Sequence, residues 1–326
     1  MYKANTVSIV IVNWNAGTQL VACIASVAQY QHDLVATVIV VDNGSTDNSI
    51  KQVEALQNLP FELQIVRNSA NRGFGAACNQ GAALALSEFL LFLNPDTRLF
   101  ENSLTAPYAF MNASKNQKVG VVGIQLIDDH NQVSRSCARF PTLGIFVAQV
   151  FGINYLPGLQ YLNTHMMDWA HETTATVDHV IGAFYLMRLS LFESLSGFDE
   201  RFFVYLEDLD LSLRVHQAGY LSVFLADAQA FHLGGGTSRQ VKAHRLFYSL
   251  RSRLFYGFKY FPKHKAWILL FITTAIEPWS RLLFALSKGS WRDALYTLQA
   301  YVLLIKSLPE FFLRYDSFEH DAKTQG

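Results

Sequence analysis

Over the first 125 residues, short apolar runs rich in β-branched side chains alternate with stretches whose apolar positions recur every three or four residues. Val7–Val12 predicts a strand, Gly17–Tyr30 a helix and Ala36–Val41 a strand. Asp47–Leu56 predicts a helix, Leu63–Arg67 a strand, Gly75–Leu86 a helix and Phe89–Leu93 a further strand. Strands alternating with helices predict a parallel sheet covered on both faces. Ligands of such sheets bind beyond the carboxyl ends of the strands. Further on, Leu206, Leu209 and Leu213 share a helical face, so a helix is expected to start near Glu207, and Ser222–Ala226 reads as a strand.

The C-terminal pattern is different. On a helical wheel Phe247, Leu250, Leu254, Phe258 and Phe261 fall within roughly 80° of arc. Arg245, Arg251, Arg253 and Lys259 lie elsewhere on it, which predicts a basic amphipathic helix. The apolar runs Ala266–Ile276 and Ala294–Ile305 hold 11 and 12 residues. A spanning helix needs about 20, so these are expected to lie on a membrane and not to cross it. Trp267, Trp279 and Trp291 suit a headgroup interface. Residues 140–167 carry no Asp, Glu, Lys or Arg but are interrupted by Pro141 and Pro157, and read as a loop with short interfacial helices. The run Val7–Val12 is too short for a signal-peptide core.

Charge sharpens this division. Lys plus Arg equals Asp plus Glu at 26 each, which argues against a uniformly basic nucleic-acid binder. Residues 1–238 are net −8, residues 239–315 net +10 and residues 316–326 net −2. Two regions are therefore expected, an acidic domain over 1–238 and a basic helical region over 239–326 that attaches to an anionic membrane surface. Packing of that region on the core or on a second copy is the alternative. A chain that is 51% apolar and 13% aromatic can bury a core, which excludes disorder. Cys23, Cys78 and Cys137 form no metal-ligand pair or disulfide framework and fit reduced thiols in a cytosol.

The polar residues after the strands carry the candidate chemistry. Asn13-Trp14-Asn15 follows the first strand, and Asp42-Asn43-Gly44-Ser45-Thr46-Asp47 ends the second. Asp42 can accept hydrogen bonds from a base or ribose; the same residues also make an ordinary turn and helix cap. Asn71-Arg72-Gly73-Phe74-Gly75 opens an Ala-rich helix and suits a diphosphate, or simple helix packing. Asn94-Pro95-Asp96 places a carboxylate where Mg²⁺ or Mn²⁺ can meet phosphate oxygens, or forms a plain Pro-Asp turn. Asp210 and Arg214 read as an i,i+4 pair, whereas Glu207-Asp208 behind the aromatic run Phe202-Phe203-Val204-Tyr205 suits a general base. His232, before Gly234-Gly235-Gly236, can complete a metal site, though a lone His is more often structural.

Six segments taken in order resemble the family 2 glycosyltransferases of the GT-A fold, and most of all the rhamnosyltransferases that build cell-surface polysaccharides. They are VSIVIVNWN, VVDNGSTDNS, NRGFGAACNQG, LNPDT, GAFYLMR and GFDERFFVYLEDLDLSLRVHQAGY followed by His232, and they cover residues 5–260. The resemblance implies an α/β fold, a Rossmann-like, mainly parallel sheet flanked by helices, with a C-terminal helical extension that associates with membrane. It implies that Asp42 contacts the nucleoside base, with Asn13 and Asn15 in the same pocket. Arg72 and Asn79 would lie near the diphosphate, and Asp96 and His232 would hold a divalent metal, Mg²⁺ or Mn²⁺. Asp208 would be the catalytic base beside Glu207. Asn94 stands where the family's first metal-site Asp is usual, which implies a weaker hold on the metal. The implied partners are a nucleoside-diphosphate sugar and a lipid-linked glycan acceptor, with no nucleic acid, at the cytoplasmic face of the cell membrane. The implied reaction is a single displacement with inversion, moving L-rhamnose from dTDP-rhamnose; UDP-galactofuranose and UDP-hexosamines remain alternative donors. Nucleotidyl transfer and a non-catalytic scaffold are the rival readings.

Overall fold

A computed structural model describes residues 3–31, 33–234 and 241–324, with side chains described between 6 and 313. The glycines Gly235 and Gly236 and the expected boundary at 238 lie outside the described residues. The chain divides into two compact units, Met1–Phe140 with Asn163–Thr237, and Pro141–Leu162 with Ser238–Gly326. The charge-free segment therefore falls mostly in the second unit, although its chain position suggested the first.

The first unit begins with β1 (Lys3–Asn13), α1 (Thr18–Tyr30), β2 (Val35–Asp42), α2 (Ser49–Glu54), β3 (Glu62–Arg67), α3 (Phe74–Ala82) and β4 (Ser87–Leu93). These match the expected strand–helix alternation, with α3 ending four residues early where Leu84 N–H turns back to the Gly81 carbonyl. Then come β5 (Thr97–Leu99), α4 (Thr105–Asn112), β6 (Val119–Ile127) and β7 (Cys137–Ala138), and beyond the excursion into the second unit β8 (Ala175–Val177), β9 (His179–Val180) and β10 (Phe184–Arg188). A short helix at Leu189–Ser194, the helix Glu207–Gln217 and β11 (Leu221–His232) complete it.

The sheet runs in the order β3-β2-β1-β4-β10-β6-β11-β5, with β8 paired to β11. β1 to β4 pair in parallel, as do β6 and β11, while β10 runs antiparallel between β4 and β6. The fold is thus a mixed, mainly parallel α/β sheet flanked by helices, as expected. Successive strand residues face opposite sides, so Val7, Ile9 and Ile11 pack on one face with α1, and Val10 and Val12 on the other with Cys78 of α3. Helix α3 sits close to the sheet because Gly81 has no side chain; a Cβ there would lie 2.5 Å from Val10 Cγ1. Burying both faces of the central strands explains their unbroken apolar runs.

The second unit is helical. α5 (Leu143–Val150) belongs to it with α8 (Lys242–Tyr260), α9 (Lys263–Phe271), α10 (Glu277–Ser287) and α11 (Trp291–Thr324); the sheet-unit helices Leu189–Ser194 and Glu207–Gln217 are α6 and α7. Phe247, Leu250, Leu254 and Phe258 of α8 are buried, and Phe255 and Phe258 meet Phe311 of α11. The expectation that this face meets a membrane is corrected: periodicity shows that a helix has an apolar face, not what covers it. Arg253, expected on the polar side, is buried against Glu277 and Thr273, its guanidinium 3.0 Å from Thr273 Oγ1. α9 and α10 are joined by a π-helical turn, Ile272–Ile276, into one 25-residue helix, Lys263–Ser287. That helix is long and apolar enough to cross a membrane by length and composition, which the separate apolar runs in the sequence did not suggest. Exposed apolar side chains lie along α9 to α11, among them Trp267, Phe271, Trp279 and Trp291, and also in the 141–162 segment, at Phe151 and Tyr155.

Candidate active site

Parallel pairing brings the carboxyl ends of β1 and β2 level, with Asn13 opposite Asp42. The Asn13 side chain is fully buried and its amide donates to Asp42 Oδ1 at 2.9 Å, Ser49 Oγ at 2.9 Å and Ser45 Oγ at 3.0 Å. It orients Asp42 from beneath. Asn15 takes a left-handed backbone, and its side-chain carbonyl accepts from Thr46 N–H at 2.7 Å and Asp47 N–H at 3.2 Å. Both asparagines therefore shape the loop around Asp42. Asp47 accepts from Gly17 and Ser49 N–H groups. Burial pushes the Asp47 carboxyl up, but the Ser49 hydroxyl and these N–H groups outweigh it and hold the carboxyl below the usual range.

Asn43 ties this corner to α3. Its amide donates to Asn71 Oδ1 at 2.9 Å and the Gly73 carbonyl at 3.0 Å, and its carbonyl accepts from Arg72 N–H at 3.0 Å. The side chain of Arg72 is exposed at the start of α3. Gly73 is the hinge of this junction. Its φ is 93°, and a Cβ would lie 2.5 Å from the Phe203 carbonyl, so only glycine lets the loop before α7 close over α3. Asn79 does not join this cluster. Its amide donates to the Phe198 carbonyl at 2.9 Å and Glu200 Oε1 at 3.0 Å, and its carbonyl accepts from Phe198 N–H at 2.8 Å. It braces the turn that precedes α7.

Asp96 and His232 are brought together by the pairing of β5 with β11, in which Thr97 lies opposite His232. Asp96 Oδ1 is 3.4 Å from His232 Nε2, and Asn94 Nδ2 is 3.5 Å from the same nitrogen. A carboxylate, an imidazole and an amide thus converge beyond the end of β4. Among the described residues no group of three or more His, Cys, Asp or Glu forms a metal cage. Two such ligands fit a divalent cation that takes its remaining oxygens from a phosphate substrate.

Tyr205 and Leu206, just before α7, both adopt left-handed backbones, at φ 71° and 65°. Such strain is held only where the surroundings enforce it, and it sets the direction in which α7 presents its acids. Glu207 is turned inward and buried, packed where Gly75 leaves room. Burial, and next the neighbouring Asp208 charge, push its carboxyl well above the usual range. Asp208 is partly exposed, and its Oδ2 accepts from Gly182 N–H at 2.8 Å while Oδ1 accepts from Leu209 N–H at 2.8 Å. Burial pushes the Asp208 carboxyl up, but His179 and these two N–H groups outweigh it and hold it below the usual range. The two acids are thus split into a protonated inner group and an ionised outer one, the pattern of a site with one working base. Asp210 pairs with Arg214 at 2.9 Å, as its i,i+4 spacing implies.

The metal-ligand candidates and the acids share one support. Asn94 N–H donates to the Ala183 carbonyl at 3.1 Å, and the preceding residue, Gly182, donates to Asp208. His179, which carried no sequence motif, lies with Nε2 3.5 Å from Asp208 Oδ2. A lone histidine at the start of a two-residue strand gives no periodic signal. All three cysteines are buried free thiols, with Cys23 Sγ 3.6 Å from the Asn94 carbonyl.

Two family models match the chain: the glycosyl transferase family 2 model over residues 8–169 and the glycosyl transferase family group 2 model over residues 89–313. The N-acetylglucosaminyl-diphospho-decaprenol L-rhamnosyltransferase of Mycobacterium tuberculosis is 28% identical over 238 residues, covering 69% of this chain and 75% of that protein. The O-antigen chain rhamnosyltransferase WbaN of Salmonella anatum is 27% identical over 235 residues, covering 72% and 68%. Among solved structures, the mannosyltransferase PcManGT of Pyrobaculum calidifontis, in complex with GDP-Man and Mn²⁺, superposes with a TM-score of 0.56 at 16% identity, covering 92% of this chain and 86% of that one.

Proposed function

Because the chain belongs to glycosyl transferase family 2 and is a glycosyltransferase, we propose that it transfers L-rhamnose from dTDP-rhamnose to a lipid-linked glycan of a growing cell-surface polysaccharide, with inversion. The observation that carries this reading is the ionised, partly exposed Asp208, joined through Gly182–Ala183 to the Asp96–His232 pair. The relatives' names support rhamnose as the transferred sugar and a lipid-linked or polysaccharide acceptor. Asp42, held by Asn13, binds the base, and the exposed Arg72 before α3 faces the diphosphate. Asp96 and His232, with Asn94 beside them, hold a divalent cation. When bound, that cation neutralises charge on the departing diphosphate. Asp208 takes the proton of the acceptor hydroxyl as its oxygen attacks the anomeric carbon from the face opposite the leaving group. Glu207, uncharged and buried, leaves Asp208 as the ionised member of the adjacent acid pair, while Asp210 is matched by Arg214.

In this reading the exposed aromatic and aliphatic side chains of α9 to α11 attach the protein to the cytoplasmic face of the cell membrane, with basic residues of the same unit meeting anionic headgroups. The helix Lys263–Ser287 lies along the interface, because Glu277 within it is paired with Arg253 of α8 and Arg281 and would carry that ionic cluster into hydrocarbon if it spanned. Calorimetry with dTDP-rhamnose, UDP-galactofuranose and UDP-GlcNAc, each with and without Mn²⁺, tests the donor. Metal-dependent binding of dTDP-rhamnose is expected. Tight binding of a UDP-sugar instead would replace the donor, and binding of none by folded protein would favour a scaffold role.

A further inference from the structure

Behind Asp208 runs a file of buried polar side chains that the proposed reaction does not use. His179 Nε2 faces Asp208 Oδ2 at 3.5 Å, His179 Nδ1 lies 2.9 Å from Ser212 Oγ, and Ser212 Oγ lies 3.0 Å from Tyr185 Oη. His179 is 3% exposed, and Ser212 and Tyr185 are each 0% exposed. Four elements meet here: His179 comes from β9, Tyr185 from β10, Ser212 and Asp208 from α7, and Gly182 from the turn between the strands. Direction follows from what each group can donate. Burial pushes the Tyr185 phenol up, so it stays protonated and donates to Ser212. Ser212 then donates to His179 Nδ1, which leaves the imidazole proton on Nε2, pointing at Asp208. Among the described residues the file ends at the fully buried Tyr185. It therefore orients Asp208 and is not a route for protons to solvent.

We infer that His179, set in one tautomer by Ser212 and Tyr185, is the positioning residue of Asp208. It gives Oδ2 a second donor beside Gly182 N–H and so fixes the carboxylate in one orientation. This rests on the reading of Asp208 as the base. Other titratable groups face Asp208 as well: His165 from the segment before β8, Cys78 from α3, Tyr185 from β10, and Glu207 on its own helix. They are unchanged in the His179 variants below, so a change among those variants reports on His179.

The test uses the full chain with two readouts. The first is transfer from dTDP-rhamnose, with Mn²⁺, to a farnesyl-diphospho-N-acetylglucosamine probe. The second is the pH titration of the Asp208 carboxyl by carbon NMR, assigned by its disappearance in Asp208→Asn, which needs no substrate. His179→Leu is expected to lower kcat roughly tenfold to a hundredfold, the range for partners that orient a reacting group. The donor KM should stay unchanged and the Asp208 midpoint should move up. His179→Gln, which keeps an N–H near the Nε2 position, should recover most of both. Tyr185→Phe should give a smaller shift of the same sign, and serves if His179→Leu does not fold. An unmoved midpoint in these variants overturns the proposal. If Asp208→Asn turns over at the parent rate, the base assignment falls instead, and the titration still decides whether His179 holds Asp208.

Discussion

Two glutamates are buried, one in each unit, and the surroundings treat them in opposite ways. Glu277 of the helical unit is 2% exposed and sits between Arg253 and Arg281. Glu207 of the sheet unit is just as enclosed but has Asp208 as its charged neighbour, and its Oε2 has no hydrogen-bond partner. A buried charge needs a partner or must be neutralised. The helical unit supplies the partner, and the sheet unit neutralises the group. The pairing stabilises a scaffold, whereas the neutral acid concentrates charge on Asp208, where a reaction can use it. For these two residues, the unpartnered carboxyl lies at the chemical site and the matched one in the scaffold.

The sharpest way to break this comparison is at Asp208. Asp208→Asn should lower kcat by roughly 10²–10⁴-fold, the span of a general base, with donor affinity unchanged by calorimetry. Retained turnover would move the chemistry elsewhere. In the helical unit the matching experiment is Glu277→Leu, which strands Arg253 and should cost about 3–5 kcal/mol in a denaturant melt. Replacing both partners, Arg253→Met with Glu277→Leu, should restore most of that loss. If the double variant is no better than the single, the pair is not the balanced ionic contact seen here. At the metal-ligand candidates, Asp96→Ala should weaken donor binding in Mn²⁺ by roughly tenfold to a hundredfold and leave metal-free binding unchanged.

The two units also differ in how they hide apolar side chains, and this decided what was legible in the sequence. In the sheet unit Phe89, Phe92, Phe184 and Phe224 are fully buried, because every central strand is covered twice. Runs such as Val7–Val12 and Phe89–Leu93 could then mean only strands, and the polar residues just after them marked Asp42 and Asp96. The antiparallel β10 and the His179 file escaped notice because they come from distant segments with no local period. In the helical unit Trp279 and Trp291 are 67% and 73% exposed while the face of α8 is packed away. The same amphipathic signal thus has two meanings, burial against a neighbouring helix or exposure to lipid, and a helical wheel does not choose between them. Trp279→Ser with Trp291→Ser should therefore reduce flotation with anionic vesicles roughly tenfold, since each indole carries a large apolar area. Polar substitution on α8 should unfold the unit without that selectivity.

The smallest effect expected is the most specific to the buried acid. Glu207 holds its proton in the folded chain well above the usual pH, because burial and Asp208 disfavour its charge. In the unfolded chain it ionises at the ordinary glutamate value of about 4.3. Between those two points the folded state binds one more proton than the unfolded state, so this residue makes stability fall as pH rises through the window. Glu207→Gln removes the proton and keeps the shape. The variant should match the parent near pH 4 and become the more stable of the two as pH increases towards neutrality, read as melting temperature against pH. Asp208 contributes with the opposite sign. Its folded carboxyl lies below the ordinary range, so its stabilisation is present above the unfolded value and lost as pH falls. A Glu207→Gln curve parallel to that of the parent at every pH would mean that Glu207 is ionised in the fold. The contrast with Glu277 would then be one of partners alone, not of protonation.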